Sequence, residues 1–272
     1  VLKRRVFNMK IACQDTLIPG DNIKKILLNT KGLGFDGIEI SGEKFLQNPA
    51  EVNEGFDSKD IELAIICAGH RGWLLSEDKQ KQREAVRDIK ELLNYAAKYK
   101  AVGVLTPTIY GTSDYLPYPP RKRSPKEDEK LLIDTLNELG AQAEKSGVYL
   151  LLEPLIRYQT HYINKLSEGI EIIDKLDNNG VKLMADTFHM NMEEKDIDKS
   201  LREAKDYLYH IHLSDSNRRL PGQGHIDFPR HLATLKSIGY NKYLSFEALK
   251  PDNPTKQLKE SLGYILKNIN RF

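Results

Sequence analysis

Cysteine is scarce in this chain. Cys13 and Cys67 are the only two, far apart and too few to staple a small secreted scaffold. That scarcity favours a reducing compartment, so a cytoplasmic location is the expectation. No run of residues approaches the ~18 to 20 uninterrupted apolar positions of a membrane span. Val1–Lys10 is basic but lacks the apolar stretch and small-residue cleavage site of a signal peptide. Glycine-rich phosphate loops are missing too: there is no GxGxxG and no Walker-type loop, and Cys13-Gln14-Asp15-Thr16 is no phosphate turn. An open dinucleotide-binding sheet loses its main signature with them. Charge of one sign is not in excess, with 41 basic against 39 acidic side chains and a formal charge of +2. A nucleic-acid binder carries a larger or more clustered positive surplus, so the expected partner is a small molecule, with neither nucleic acid nor membrane involved.

What is present is a repeated texture. Short apolar runs occur at Lys10–Cys13, Gly37–Ile40, Leu63–Cys67, Val102–Thr106, Val148–Glu153, Val181–Asp186, Tyr207–Leu213 and Tyr243–Glu247. Longer amphipathic stretches separate them, such as Lys79–Tyr99, where Val86, Ile89, Leu92, Leu93 and Ala96 recur at helical spacing. Further helical stretches are Glu127–Lys145, Glu168–Leu176, Phe228–Ile238 and Thr255–Ile269. Ser124-Pro125-Lys126-Glu127 reads as a capping serine, a proline at the first helical position and a glutamate closing the box. Ser76 and Ser167 are expected caps for the helices after them. Eight strand-then-helix units without a linker predict an α/β fold, a single (β/α)8 TIM barrel, for which about 250 residues is typical. One domain over residues 1–272 is expected, with residues 1–8 an extension before Met9. The second unit is the least regular, because Asn48–Asp60 has poor helical periodicity. Tyr110–Arg123, rich in Tyr, Pro and Arg, is expected on the C-terminal face of the barrel, as a lid or as a solvated contact loop.

Four successive strand segments end in or near a potential ligand: Glu153, Asp186, His212 and Glu247. One such acid is readily explained as a helix cap or a partner for a lysine. Four in succession, on strands that neighbour one another in a barrel, point to one shared cation. Leaving a carboxylate unpaired at the end of Tyr149-Leu150-Leu151-Leu152 is costly. Three carboxylates, one imidazole and no thiolate suit Mn2+, Mg2+ or Co2+ better than a structural zinc. His210 shares a face with His212, and is expected one layer deeper and hydrogen-bonded to an interior acid. His189 is expected on the loop after Asp186, within reach of a substrate hydroxyl or carbonyl.

Glu153-Pro154-Leu155, Asp186-Thr187-Phe188-His189-Met190-Asn191 and His210-Ile211-His212 carry a resemblance, as do Asn217-Arg218-Arg219 and Ser245-Phe246-Glu247. Together they resemble the sugar isomerase/epimerase superfamily with a xylose-isomerase-like barrel. The chain is most similar to its D-tagatose 3-epimerase and D-psicose (allulose) 3-epimerase branch. The resemblance is densest from about residue 148 to 250. It implies a metal, usually Mn2+, on Glu153, Asp186, His212 and Glu247, substrate contacts from His189 and Arg218, and a homodimer or homotetramer. One position departs: where the epimerases carry a glutamate that touches substrate hydroxyls, this chain has Gln159. A neutral amide tolerates an anionic sugar better, so keto-acid sugars stand beside free ketohexoses as expected substrates.

The chemistry these residues suit is proton movement. A proton beside a carbonyl is too weakly acidic for an unaided carboxylate, and a cation on the carbonyl oxygen lowers that barrier. Epimerisation also needs acid/base groups on both faces of the carbon, for which Glu153 and Glu247 are the candidates. An inosose-type dehydratase would share the metal and then expel a hydroxyl. An apurinic-site endonuclease would need more ligands, with His70 and His225 recruited. A barrel that has lost its chemistry is disfavoured by the presence of all four proposed ligands.

Overall fold

Eight parallel strands hydrogen-bond in sequence order, and the last pairs with the first, so the sheet closes into a barrel. The computed structural model describes residues 9–56, 61–111 and 123–271. The strands are β1 (Lys10–Gln14), β2 (Gly37–Ser41), β3 (Glu62–Cys67), β4 (Gly103–Pro107), β5 (Tyr149–Glu153), β6 (Val181–Asp186), β7 (Leu208–Leu213) and β8 (Tyr243–Phe246). Each falls within one residue of an apolar run in the sequence. The helices are α1 (Ile23–Leu33), α2 (Gly42–Gln47), α3 (Pro49–Phe56), α4 (Lys79–Tyr99), α5 (Pro125–Ser146), α6 (Leu166–Ile173), α7 (Thr187–Glu193), α8 (Ile197–Glu203), α9 (Phe228–Ser237) and α10 (Pro254–Ile269). The α/β barrel expected from the texture is the observed fold.

Strand alternation divides the core in two. In β5, Leu150 and Leu152 face the helices and join the large cluster between sheet and helical shell. Leu151 points inward, where it packs with Ile65, Leu105 and Met184 in a small cluster inside the barrel. Period-two geometry therefore places Glu153, two residues beyond Leu151, on the inner face as well. The same step takes Met184 to Asp186 and His210 to His212. Register brings these ends level: Asp186 pairs with His212, and His212 with Ser245, two residues before Glu247.

The helices cover the outside with one apolar stripe each. In α4, Ala85, Ile89, Leu92, Leu93 and Ala96 are buried at the spacing of one helical face. The Ser124 capping box forms as expected, with Pro125 in the first turn and Gly147 in the left-handed region ending the helix. Two other expected caps are displaced. Asp78, not Ser76, caps α4, accepting from the amides of Gln80 and Lys81. Ser167 lies inside α6, whose N-terminus is closed by Glu168 reaching back to the Lys165 amide. The irregular second unit holds two short helices, α2 and α3, divided at Asn48-Pro49, which is why no single helical period runs through it. Residues 1–8 and 112–122, and with them the expected extension and most of the expected lid, lie outside the described residues. No helix among the described residues is long and apolar enough to cross a membrane.

Candidate active site

At the C-terminal mouth of the barrel, Glu153, Asp186, His212 and Glu247 converge. Each offers one ligand atom, and all four atoms lie within 4.8 Å of one another. β5, β6 and β7 deliver the first three directly, and Glu247 follows the last residue of β8. His212 Nδ1 donates to Glu247 Oε2 at 2.9 Å and lies 3.8 Å from Glu153 Oε1. Asp186 caps α7, its Oδ1 accepting from the Phe188 amide at 2.8 Å, which leaves Oδ2 facing the cluster.

Three carboxylates this close repel one another, and their environments push them apart. Burial and the charge of Glu247 hold the Glu153 carboxyl well above the usual carboxylate range. Burial pushes Glu247 upward too, but the neighbouring His212 and Arg218 overcome it and hold that carboxyl well below the range. For His212, burial presses the pKa down, while Glu39 and Glu247 outweigh it and raise it well above an ordinary imidazole. One member of the glutamate pair thus favours the acid and the other the carboxylate, the asymmetry that proton transfer needs.

Arg218 spans two of the acids, donating from Nη1 to Asp186 Oδ2 and from Nη2 to Glu247 Oε2, the latter at 2.5 Å. It stacks 4.9 Å over the Phe188 ring. Its backbone takes a left-handed φ of 59°, held by its amide donating to Asp215 and its carbonyl accepting from Leu249. Asp215 is fully buried and organises that loop, accepting from the amides of Ser216, Gly222 and Ile226. Gly224 is forced here, since a Cβ would sit 2.2 Å from Asp215 Oδ1.

His189 lies in α7 rather than on a loop, because Asp186 caps the helix directly as β6 ends. Its Nδ1 accepts from the Ile156 amide at 3.3 Å, so the proton rests on Nε2, 3.6 Å from Asp186 Oδ2. Burial lowers its pKa and keeps the ring neutral. Gln159 is tied through its backbone to Ile156 and Gly111, and its Oε1 is buried with no hydrogen-bond partner among the described residues. The segment carrying it is clamped to α7 by Arg157, which grips Glu193 through its amide (2.8 Å) and guanidinium (2.7 Å). The extra histidines of a multi-metal centre are engaged elsewhere: His70 pairs with Thr106, and His225 with Ser216.

Two residues here were not singled out in the sequence. Gln14, ending β1, donates to Glu247 Oε1 at 2.9 Å. Glu39, inside β2, is the interior acid expected beneath His210, and it also meets His212. Burial pushes its carboxyl up, but the charges of His212 and His210 prevail and leave it at about 2. Both occupy inward-facing strand positions, the one signal that marks them.

The donor set fits a divalent cation. Once His212 gives up its Nδ1 proton, that nitrogen becomes a ligand atom; the three carboxylates then carry a formal −3, which Arg218 reduces to −2, and the four ligand atoms already share one small volume.

The chain is 30% identical over 259 residues to 3-dehydro-D-guloside 4-epimerase of Escherichia coli (strain K12), covering 94% of this chain and 99% of that protein. It is 40% identical over 215 residues to D-psicose 3-epimerase of Ruminiclostridium cellulolyticum, covering 77% and 72%. Among solved structures, 3-keto-D-glucoside 4-epimerase from E. coli superposes with a TM-score of 0.89 at 29% identity, over 95% of this chain and 99% of that one. These relatives are isomerases acting on sugars, and this chain is an enzyme of that kind. Residues 27–268 match the model of the xylose isomerase-like TIM barrel, and it is to this family that the chain belongs.

Proposed function

We propose that this sugar epimerase inverts a keto sugar at the carbon beside its carbonyl, with a divalent cation held by Glu153, Asp186, His212 and Glu247. The observation that carries the reading is the convergence of those four ligand atoms within 4.8 Å. Bound there, Mn2+ (or Mg2+ or Co2+) supplies the Lewis acidity that makes the neighbouring C–H acidic enough to lose its proton. Glu247, ionised as a ligand and paired with Arg218, accepts that proton from one face of the carbon. Glu153, which offers the cation one oxygen and carries a proton on the other, returns that proton to the other face, and the sugar leaves with one centre inverted. For the opposite configuration the two exchange roles. His189 Nε2–H and the Arg218 guanidinium are donors suited to orient substrate oxygens, and Gln159 is the third substrate contact in this reading.

The carbonyl position defines two versions. In a 2-ketose, or a keto-acid sugar that the neutral Gln159 would tolerate, inversion falls on C3, as in the D-psicose 3-epimerase relative. In a 3-keto glycoside it falls on C4, a reading favoured by the near full-length match to a 4-epimerase. An inosose-type dehydratase differs by losing water, so product mass separates it from both. Glu153→Gln and Glu247→Gln, tested separately, are expected to cut exchange of the α-carbon hydrogen with solvent deuterium by at least about 100-fold, the usual worth of a positioned acid or base. Undiminished exchange in both variants refutes the assignment.

A further inference from the structure

Glu39 lies across the barrel from the ligands, on the second strand, and is completely buried. A carboxylate in that position costs several kcal/mol unless it is satisfied. It is met by two imidazoles: His210 Nε2 donates to Oε1 at 2.5 Å, and His212 Nε2 donates to Oε2 at 3.1 Å. The two rings stand edge to face, 5.3 Å apart. His212 therefore has both nitrogens engaged, Nε2 toward Glu39 and Nδ1 toward Glu247. Rotation about the second side-chain torsion is broad for histidine, and a half-turn would exchange each nitrogen for a carbon. The Glu39 contact makes that half-turn unfavourable, since both hydrogen bonds would be lost together.

We infer that Glu39 is a positioning residue, holding the His212 ring so that Nδ1 is presented to Glu153, Asp186 and Glu247, with His210 locking Glu39 in turn. The inference rests on the metal reading above. A carboxylate behind a ligating histidine commonly contributes 10- to 100-fold to metal affinity (~), by fixing ring orientation. Glu39 would then serve the cation without touching it, from the opposite half of the barrel.

The test measures Mn2+ dissociation constants by calorimetry, and the bound ion by pulsed electron paramagnetic resonance. Wild-type protein is expected to bind Mn2+ with a clear imidazole-nitrogen coupling. Glu39→Gln, which keeps the shape, is expected to weaken binding by about 10- to 100-fold and to diminish that coupling even at saturating Mn2+. A purely structural Glu39 would lower the melting temperature while leaving affinity and coupling unchanged, and that result overturns the inference. If Glu39→Gln fails to fold, His210→Asn decides: it keeps the Glu39–His212 contact but frees Oε1, and a several-fold loss of affinity is expected, no change being contrary. Absence of Mn2+ binding by the wild type would remove the metal reading and this inference with it. Equal binding by wild type and Glu39→Gln removes the inference alone.

Discussion

Arg218 is one cation serving two carboxylates, and its removal separates the roles of charge. Arg218→Ala leaves Asp186 and Glu247 without their guanidinium. Breaking a largely buried pair of this kind is expected to destabilise the metal-free protein by about 3 kcal/mol, measured by urea unfolding. The same variant has a more negative ligand set, so it is expected to bind Mn2+ more tightly while losing turnover. Weaker Mn2+ binding would contradict this electrostatic picture. His70 makes a different prediction. Burial depresses its pKa to about 4, against 6.5 in the unfolded chain. As pH falls from 6.5 to 4 the unfolded chain takes up a proton that the folded ring refuses, so stability is present above this window and is lost across it. The loss is at most about 3.4 kcal/mol. His70→Gln should flatten that part of the pH profile of unfolding free energy, and an unaltered slope would exclude the burial account. At this scale the sequence was informative only where chemistry sat at a strand end. Glu153, Asp186, His212 and Glu247 stand out there. Glu39 does not, because Gly37-Ile38-Glu39-Ile40-Ser41 reads as an ordinary alternating strand, and its partner His210 is 171 positions away.

Element boundaries follow local rules where a cap or a strand is self-contained. Ser124 accepts from the Glu127 amide, and Glu127 accepts from the Ser124 amide at 2.7 Å. Ser124→Ala is therefore expected to cost about 1 kcal/mol, read from the shift in denaturant midpoint. A change below a few tenths would mean that tertiary packing alone holds this helix start. Where the rules compete, the sequence is ambiguous. Ser76 precedes α4 by three residues, but its hydroxyl accepts from the Trp73 amide at 2.9 Å, leaving Asp78 to cap. α7 escapes a periodicity reading because it spans only seven residues and begins with no linker after β6. That short helix nevertheless carries His189 to the mouth of the barrel. The strands were the most legible elements, since barrel strands are apolar on both faces and each lies between polar helical surfaces.

At the level of the whole molecule, closure of the sheet converts separate strand ends into one site. β1 pairs with β8, so Gln14 at one end of the chain hydrogen-bonds Glu247 near the other. A ligand that binds only this assembled state stabilises it by mass action, by about 2.7 kcal/mol at 100 times its dissociation constant. Saturating Mn2+ is thus expected to raise the melting temperature by roughly 5 °C or more for a chain of this size, and chelation to reverse it. The most direct measurement of the central claim is nuclear magnetic resonance of keto sugars turned over in D2O by metal-free and Mn2+-reconstituted protein. The account predicts one solvent deuteron at the inverted carbon beside the carbonyl with the reconstituted enzyme, and none without metal. Inversion without deuterium at that carbon, or equal exchange in the metal-free protein, would contradict it.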